Sequence, residues 1–230
     1  MPVIKYIRLP FQFNAQQLQE ETERIAEQHW QLHYQTRHYT GGWSAIPLRS
    51  VNGNTNNILV SPEENAVYAD TAFLKQSPYL QQVLSTFLCP LKAVRLLKLD
   101  AGAVIKEHRD ADLAFEYGEL RIHIPVVTNN LVEFIVDKER LFLKEGESWY
   151  MNFNLPHTIE NKSDTARIHL VIDAVVNDWV KELFAQPSLL KKETEEPGYD
   201  LATKQKIIAQ LRQLNTETAN RLADDMEAAG

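Results

Sequence analysis

The chain has 230 residues, a formal net charge of −7 at pH 7 and 44% apolar residues, which suits one large domain or one domain with an appendage and excludes wholesale disorder. Nucleic-acid binding leans on clustered Lys and Arg, and no such run occurs, so no nucleic-acid partner is expected. The single cysteine, Cys89 in "STFLCPL", rules out an intrachain disulfide and a thiolate metal site, and reads as a small buried hydrophobe rather than a nucleophile.

The N-terminal "MPVIKYIRLPFQFN" lacks the apolar core of a signal peptide, and no apolar stretch approaches 18 residues. No membrane span is expected, and a cytoplasmic address is the default. Residues 3–9 read as a short strand. Asn14 is an N-cap for a helix over about 15–33, with Leu18, Thr22, Ile25 and Leu32 at near-helical spacing. "TGGWSAIPLRS" and the Asn/Gly cluster Asn52–Asn57 read as loop and turn. Ser77-Pro78 starts a second helix, with Ser as N-cap and Pro at the first helical position.

From about residue 93 the apolar period drops from 3.6 to 2. Strands are predicted at about 93–100, 103–107, 119–127, 131–136, 140–143, 148–153 and 165–176, separated by turn signals such as "DAG", "TNN" and "KEGE". This pattern points to an all-β barrel or sandwich with the leading helices packed on one sheet. A helix near 178–185 ends at Gln186-Pro187. The charged linker "KKETEEPGYD" follows, and then a helical tail over about 201–228. The apolar side of that tail either docks on its own domain or makes a homodimer contact.

Chemistry concentrates in "KEHRDAD" and "NLPHTIEN". In an extended segment residues i and i+2 share a face, so His108 and Asp110 aim at one point. A His-x-Asp pair with a distant histidine, His157, is the ligand set of the 2-His-1-carboxylate facial triad, which leaves one side of the metal open. Along "TARIHLVIDAVV", Arg167, His169, Val171 and Asp173 share one face. An arginine there is costly to bury without a partner, and a cosubstrate carboxylate or an internal acid would serve. Along "RIHIPVV", Arg121 and His123 repeat the pattern, which favours a barrel with a polar ligand cavity.

Taken together, "VRLLKLDAGAVIKEHRD", "ELRIHIPVVTNN", "GESWYMNFNLPHTIENKSDTARIHLVID" and "GGWSAIPLR" resemble the aspartyl/asparaginyl β-hydroxylase-like branch of the Fe(II)/2-oxoglutarate-dependent dioxygenases, which includes the L-proline cis-hydroxylases. The resemblance spans about residues 40–175. It implies a mainly β fold with flanking helices and a double-stranded β-helix (jelly-roll, cupin-like) core over residues 1–186, followed by a helical extension over 187–230. It implies Fe(II) held by His108, Asp110 and His157, 2-oxoglutarate held by Arg167 with His123 near it, and O2 as co-reactant. The implied activity is hydroxylation of an unactivated C–H bond of an amino acid, free or as peptidyl Asp/Asn, with release of succinate and CO2. Arg121, Trp43 and Arg49 are the expected substrate contacts. Two readings compete: a non-enzymatic cupin-like metal or metabolite-binding module, and a zinc hydrolase using Glu107, which strand alternation turns away from His108.

Overall fold

The computed structural model describes residues 3–26, 29–61, 63, 65–194, 201–214 and 216–228. The chain divides into a large compact unit that ends at Thr194 and a smaller C-terminal one. In the large unit the order is β1 (Val3–Gln12), α1 (Ala15–Ala26), β2 (Gln31–Leu32), β3 (Tyr39–Thr40), β4 (Trp43–Val51), β5 (Tyr68–Asp70), α2 (Ala72–Lys75) and α3 (Pro78–Ser85). Then come β6 (Leu91–Leu99), β7 (Val104–His108), β8 (Glu119–Val127), β9 (Val132–Val136), β10 (Glu139–Leu141) and β11 (Glu147–Met151). The unit closes with β12 (His157–Asn161), β13 (Arg167–Val175), α4 (Asp178–Phe184) and β14 (Leu190–Thr194).

Two antiparallel sheets face each other in a double-stranded β-helix. The larger runs β14-β1-β11-β8-β13-β6-β4-β2 with β5 added to β4, and the smaller runs β10-β9-β12-β7-β3. Strand alternation sorts the side chains into two cores. Ile46, Leu96, Ile122 and Ile172 of the large sheet pack outward with Leu18, Leu80, Val83 and Val180 of the helices. Ala45, Leu97, Met151 and Val171 of the same sheet face Phe134, Val136 and Ile159 of the small sheet. The large sheet is thus covered on both faces.

Asn14 caps α1, accepting from the Gln17 amide at 3.1 Å. The helix ends earlier than its spacing predicts, at Ala26, and Gln31–Leu32 pairs instead with Ser44 and Ala45. "TGGWSAIPLRS" is no loop: Trp43–Val51 is a strand along β6, with a register shift between Pro47 and Arg49. Pro47 sits where the ladder is interrupted, a position that tolerates a missing donor. Ser77 donates to Phe73 O instead of capping α3. The buried carboxylate of Glu21, reaching over from α1, accepts from the Tyr79 and Leu80 amides. Leu190–Thr194, which takes in the first four residues of the predicted linker, pairs with β1; the rest of that linker lies outside the described residues. Cys89 is half-buried, and burial pushes its thiol up to about 11.

In the smaller unit, α5 (Leu201–Leu214) and α6 (Glu217–Ala228) form a hairpin in which Arg212 pairs with Asp224 and Glu227. Among the described residues no helix is long and apolar enough to cross a membrane.

The β12–β13 turn sets the spacing between His157 and Arg167. Asn161, fully buried, holds it: its Nδ2 donates to Leu99 O, Asp100 O and Thr165 O, and its Oδ1 accepts from the Ser163 amide and hydroxyl. Asn161→Ala removes the side chain that ties these groups together and leaves the buried Ser163 amide without its acceptor. It is expected to lower the unfolding free energy by about 2–4 kcal/mol in urea or guanidinium denaturation.

Candidate metal centre

His108 is the last residue of β7, and His157 is the first of β12. The two are direct cross-strand partners, with rings 4.2 Å apart between centroids. Asp110 lies two residues past the strand, held there by its amide, which donates to Phe153 O at 2.9 Å. One ligand atom from each of the three lies within 4.8 Å of the others, a spacing that suits a shared metal ion.

The tautomers agree with that use. His108 Nδ1 sits 2.8 Å from Lys106 O and His157 Nδ1 sits 3.0 Å from Leu155 O. A carbonyl only accepts, so each Nδ1 carries the hydrogen and each Nε2 keeps a free lone pair. Burial and the neighbouring His108 hold the His157 imidazolium down to about 4, which keeps it a neutral ligand at pH 7. For Asp110 burial pulls upward, but the Arg121 guanidinium and the nearby histidines outweigh it and hold the carboxyl below its usual range. Arg121 Nη1 donates to Asp110 Oδ2 at 2.7 Å, while Oδ1 lies 3.8 Å from His108 Nε2.

The three residues open onto a cavity of about 220 Å³ between the sheets. Arg95, Arg121 and Arg167 line it, against Asp110 and Asp173. Glu119 also reaches the rim, where it pairs with Lys92. Arg121 and Arg95 share Asp173. Arg167 is different. It is 1% exposed, no carboxylate among the described residues pairs with it, and its Nε has no partner. Its contacts are His169 Nδ1 at 2.9 Å and the face of Phe134 at 5.7 Å. Burial alone pulls its pKa down to about 9, so it remains a cation at neutral pH.

That cation orders the histidines beside it. A guanidinium only donates, so His169 Nδ1 accepts and its hydrogen sits on Nε2. His123 Nδ1, 3.1 Å from the same nitrogen, then acts as donor. Burial, followed by the Arg167 charge, keeps both imidazoles neutral far below the usual range.

Trp43 forms part of the cavity wall. It stacks on His33 at 3.5 Å between centroids, and its buried Nε1 has no acceptor. Arg49 is a correction: it does not line the cavity. Its guanidinium is taken up outside by Asp70, Tyr68 O and Leu91 O. Position 49 falls beyond the β4 register shift, which the sequence pattern does not reveal. Glu107 is exposed and does not line the cavity, so it is not placed to serve as the base of a zinc hydrolase. Arg95, Asp173 and His33 are among the lining residues that the sequence pattern did not single out. Arg95 lies within the strand LKAVRLLKL, where Lys92 and Lys98 made it look like one of several surface cations. His33 had no signal, because its segment read as the end of a helix.

Residues 12–176 match the family model described as aspartyl/asparaginyl beta-hydroxylase. The chain is 29% identical over 160 residues to the L-proline cis-4-hydroxylase of Rhizobium meliloti (strain 1021), covering 68% of this chain and 54% of that protein. It is 26% identical over 157 residues to L-proline cis-3-hydroxylase 1 of Streptomyces sp, covering 65% and 53%. The chain thus spans about half the length of the curated relatives it matches. Among solved structures, a 2OG-Fe(II) oxygenase family oxidoreductase from Burkholderia pseudomallei superposes with a TM-score of 0.52 at 12% identity, over 76% of this chain and 88% of that one. The non-heme alpha-ketoglutarate dependent epimerase SnoN from nogalamycin biosynthesis gives 0.50 at 10%, over 75% and 78%. Both bear on fold alone, and both agree with the jelly-roll.

Two outcomes are expected. Arg167→Met, which replaces an unpaired buried cation with an apolar chain of similar length, should raise the unfolding free energy of the ligand-free protein by about 1–4 kcal/mol. Acid should act the other way. His157 and His33 titrate at about 4 and about 3 when folded, His33 chiefly through burial, but near 6.5 when unfolded. Below pH 6.5 the unfolded chain binds protons that the folded one refuses, so stability is lost as pH falls from 6.5 toward 4. Denaturation at pH 7 and pH 5 should differ by about 2 kcal/mol for each of the two.

Proposed function

The chain belongs to the aspartyl/asparaginyl β-hydroxylase family, and on that premise we propose that it is an Fe(II)- and 2-oxoglutarate-dependent dioxygenase acting on an amino acid. It converts a C–H bond to C–OH while 2-oxoglutarate and O2 become succinate and CO2. One observation carries the reading: a single cavity joins a His108–Asp110–His157 ligand set to a buried guanidinium, Arg167, that has no counter-charge among the described residues.

His108 Nε2, His157 Nε2 and one oxygen of Asp110 would hold the iron, and their arrangement on one side leaves the other side open. Bound iron and 2-oxoglutarate supply the oxidising chemistry. The protein's part is placement and exclusion of water. Arg167 takes the far carboxylate of 2-oxoglutarate in a forked, charge-assisted pair, which answers a cation that is otherwise uncompensated. His123 and His169 keep Arg167 turned toward the cavity, and His123 walls the cosubstrate side, stacked on Phe153 at 5.0 Å.

Trp43 and Arg121, joined by His33 and Arg95, form the wall on the substrate side. The charge balance there argues for the substrate class. Three guanidiniums face two carboxylates, and Fe(II) with the 2-oxoglutarate dianion adds nothing net. One positive charge is left over, which suits the carboxylate of a small amino acid. The likeness to proteins named L-proline hydroxylases supports the same class.

The test is anaerobic visible spectroscopy of the apo-protein with Fe(II), before and after 2-oxoglutarate. A weak charge-transfer band that needs both ligands is expected, and His157→Ala should abolish it. No band in a folded, metal-binding protein would remove the dioxygenase reading. Arg167→Ala should weaken 2-oxoglutarate binding by roughly 2–5 kcal/mol in titration. Succinate release stimulated by L-proline or another free amino acid, and not by Asp- or Asn-containing peptides, would fix the substrate class. The reverse pattern would assign a peptidyl substrate.

A further inference from the structure

The cavity holds one carboxylate that belongs neither to the ligand set nor to the surface. Asp173 is 2% exposed on β13. On one side it stands directly opposite Arg121 of β8 in the strand register. On the other side the pairing of β13 with β6 slips between Ile172 and Ala174, so Asp173 has no β6 partner. A slip of this kind re-aims a side chain. Here the carboxylate lies between two arginines from different strands.

Both oxygens are used. Asp173 Oδ1 accepts from Arg121 Nε at 2.6 Å. Oδ2 accepts from Arg121 Nη2 at 3.3 Å and from Arg95 Nη2. The third nitrogen of Arg121, Nη1, donates to Asp110 Oδ2 at 2.7 Å. The guanidinium is therefore a rigid plate with Asp173 on one edge and Asp110 on another. Its planar fork has the geometry to fix two carboxylates at once. Asp110 has no other side-chain hydrogen bond among those of the described residues, so its rotamer rests on this contact. With Oδ2 held by Arg121, Oδ1 is the oxygen turned toward His108 Nε2.

We propose that Asp173 is a positioning residue for the metal centre: it locks Arg121, and Arg121 in turn pins Asp110 so that a single oxygen is presented to the metal. The proposal rests on the metal reading given above and adds to it a group outside the ligand shell. Arg95, bound to the same carboxylate and to Ile58 O at 3.2 Å, stops Asp173 from swinging. Removing an outer-shell partner of this kind typically lowers metal affinity by roughly 10–100-fold.

Mn(II) titration followed by electron paramagnetic resonance tests this without any substrate. Asp173→Asn offers an amide where Arg121 needs two anionic oxygens, and should weaken Mn(II) binding by roughly 10–100-fold. Arg121→Gln is the discriminating variant. By charge alone, loss of a cation beside the metal should tighten Mn(II) binding, whereas loss of the plate that pins Asp110 should weaken it. The double variant should be no weaker than the worse single one, because both changes break one linkage. Wild-type Mn(II) affinity in D173N, tighter binding in R121Q, or additive losses in the double variant would each overturn the role of Asp173. A wild-type protein that binds no Mn(II) would instead overturn the metal reading beneath it. Should D173N fail to fold, the R121Q arm decides alone, since that variant keeps the Arg95–Asp173 pair and strands no buried cation.

Discussion

A guanidinium cannot be moved into the space between two sheets without an answering charge, and this barrel places three there. Asp173 answers Arg95 and Arg121 together, and Asp110 shares in the second. Nothing in the described residues answers Arg167. The rest of the site follows from that inequality. The first two arginines are paired with carboxylates. The unsatisfied one is a standing demand for an anion, and it sets the tautomers of His169 and His123 beside it. Protein stability is spent at Arg167 so that binding energy is available there.

The fold explains how so polar an interior can be tolerated. The large sheet buries its outward face against the helices, where Leu18, Leu80, Val83 and Val180 meet Ile46, Leu96, Ile122 and Ile172. That contact needs no help from the barrel interior. The inner face of the same strands is then free to carry Arg95, Arg121, His123, Arg167 and Asp173, with Phe134, Phe153 and Trp149 closing around them. Alternation with period two separates the two tasks along each strand. The residues that could hold a metal ion come from the other sheet, His108 and His157 on neighbouring strands β7 and β12 and Asp110 just past β7, so the cavity is the seam where that sheet meets the arginine-bearing one.

Much of this was legible in the chain. His-x-Asp at a strand end, a second histidine after a proline, and arginine with histidine at i and i+2 in apolar strands are signals that local geometry makes meaningful. Most strands between residues 91 and 175 declared themselves by their period and their turns, but β12 (His157–Asn161), which carries His157, and β14 (Leu190–Thr194) were not among them. Where the reading failed, the cause was burial on both faces or a broken register. Trp43–Val51 is buried along nearly its whole length, so it shows no alternation, and Pro47 disguised it further. Arg49 was misplaced because a register shift lies between it and Trp43.

By itself, then, the sequence determined which residue types share a face, the identity of the metal-competent trio and the presence of an arginine that a β-strand would have to bury. Those follow from periods of two and from side-chain chemistry, which are local. Only the tertiary structure decided which charges answer one another. That Asp173 serves Arg95 and Arg121, that Arg121 reaches on to Asp110, and that Arg167 is left alone all depend on strand order and on one slip between β13 and β6. Strand order is a property of the folded sheet: β13 lies between β8 and β6, strands whose sequence positions are tens of residues away, and no local pattern encodes that neighbourhood.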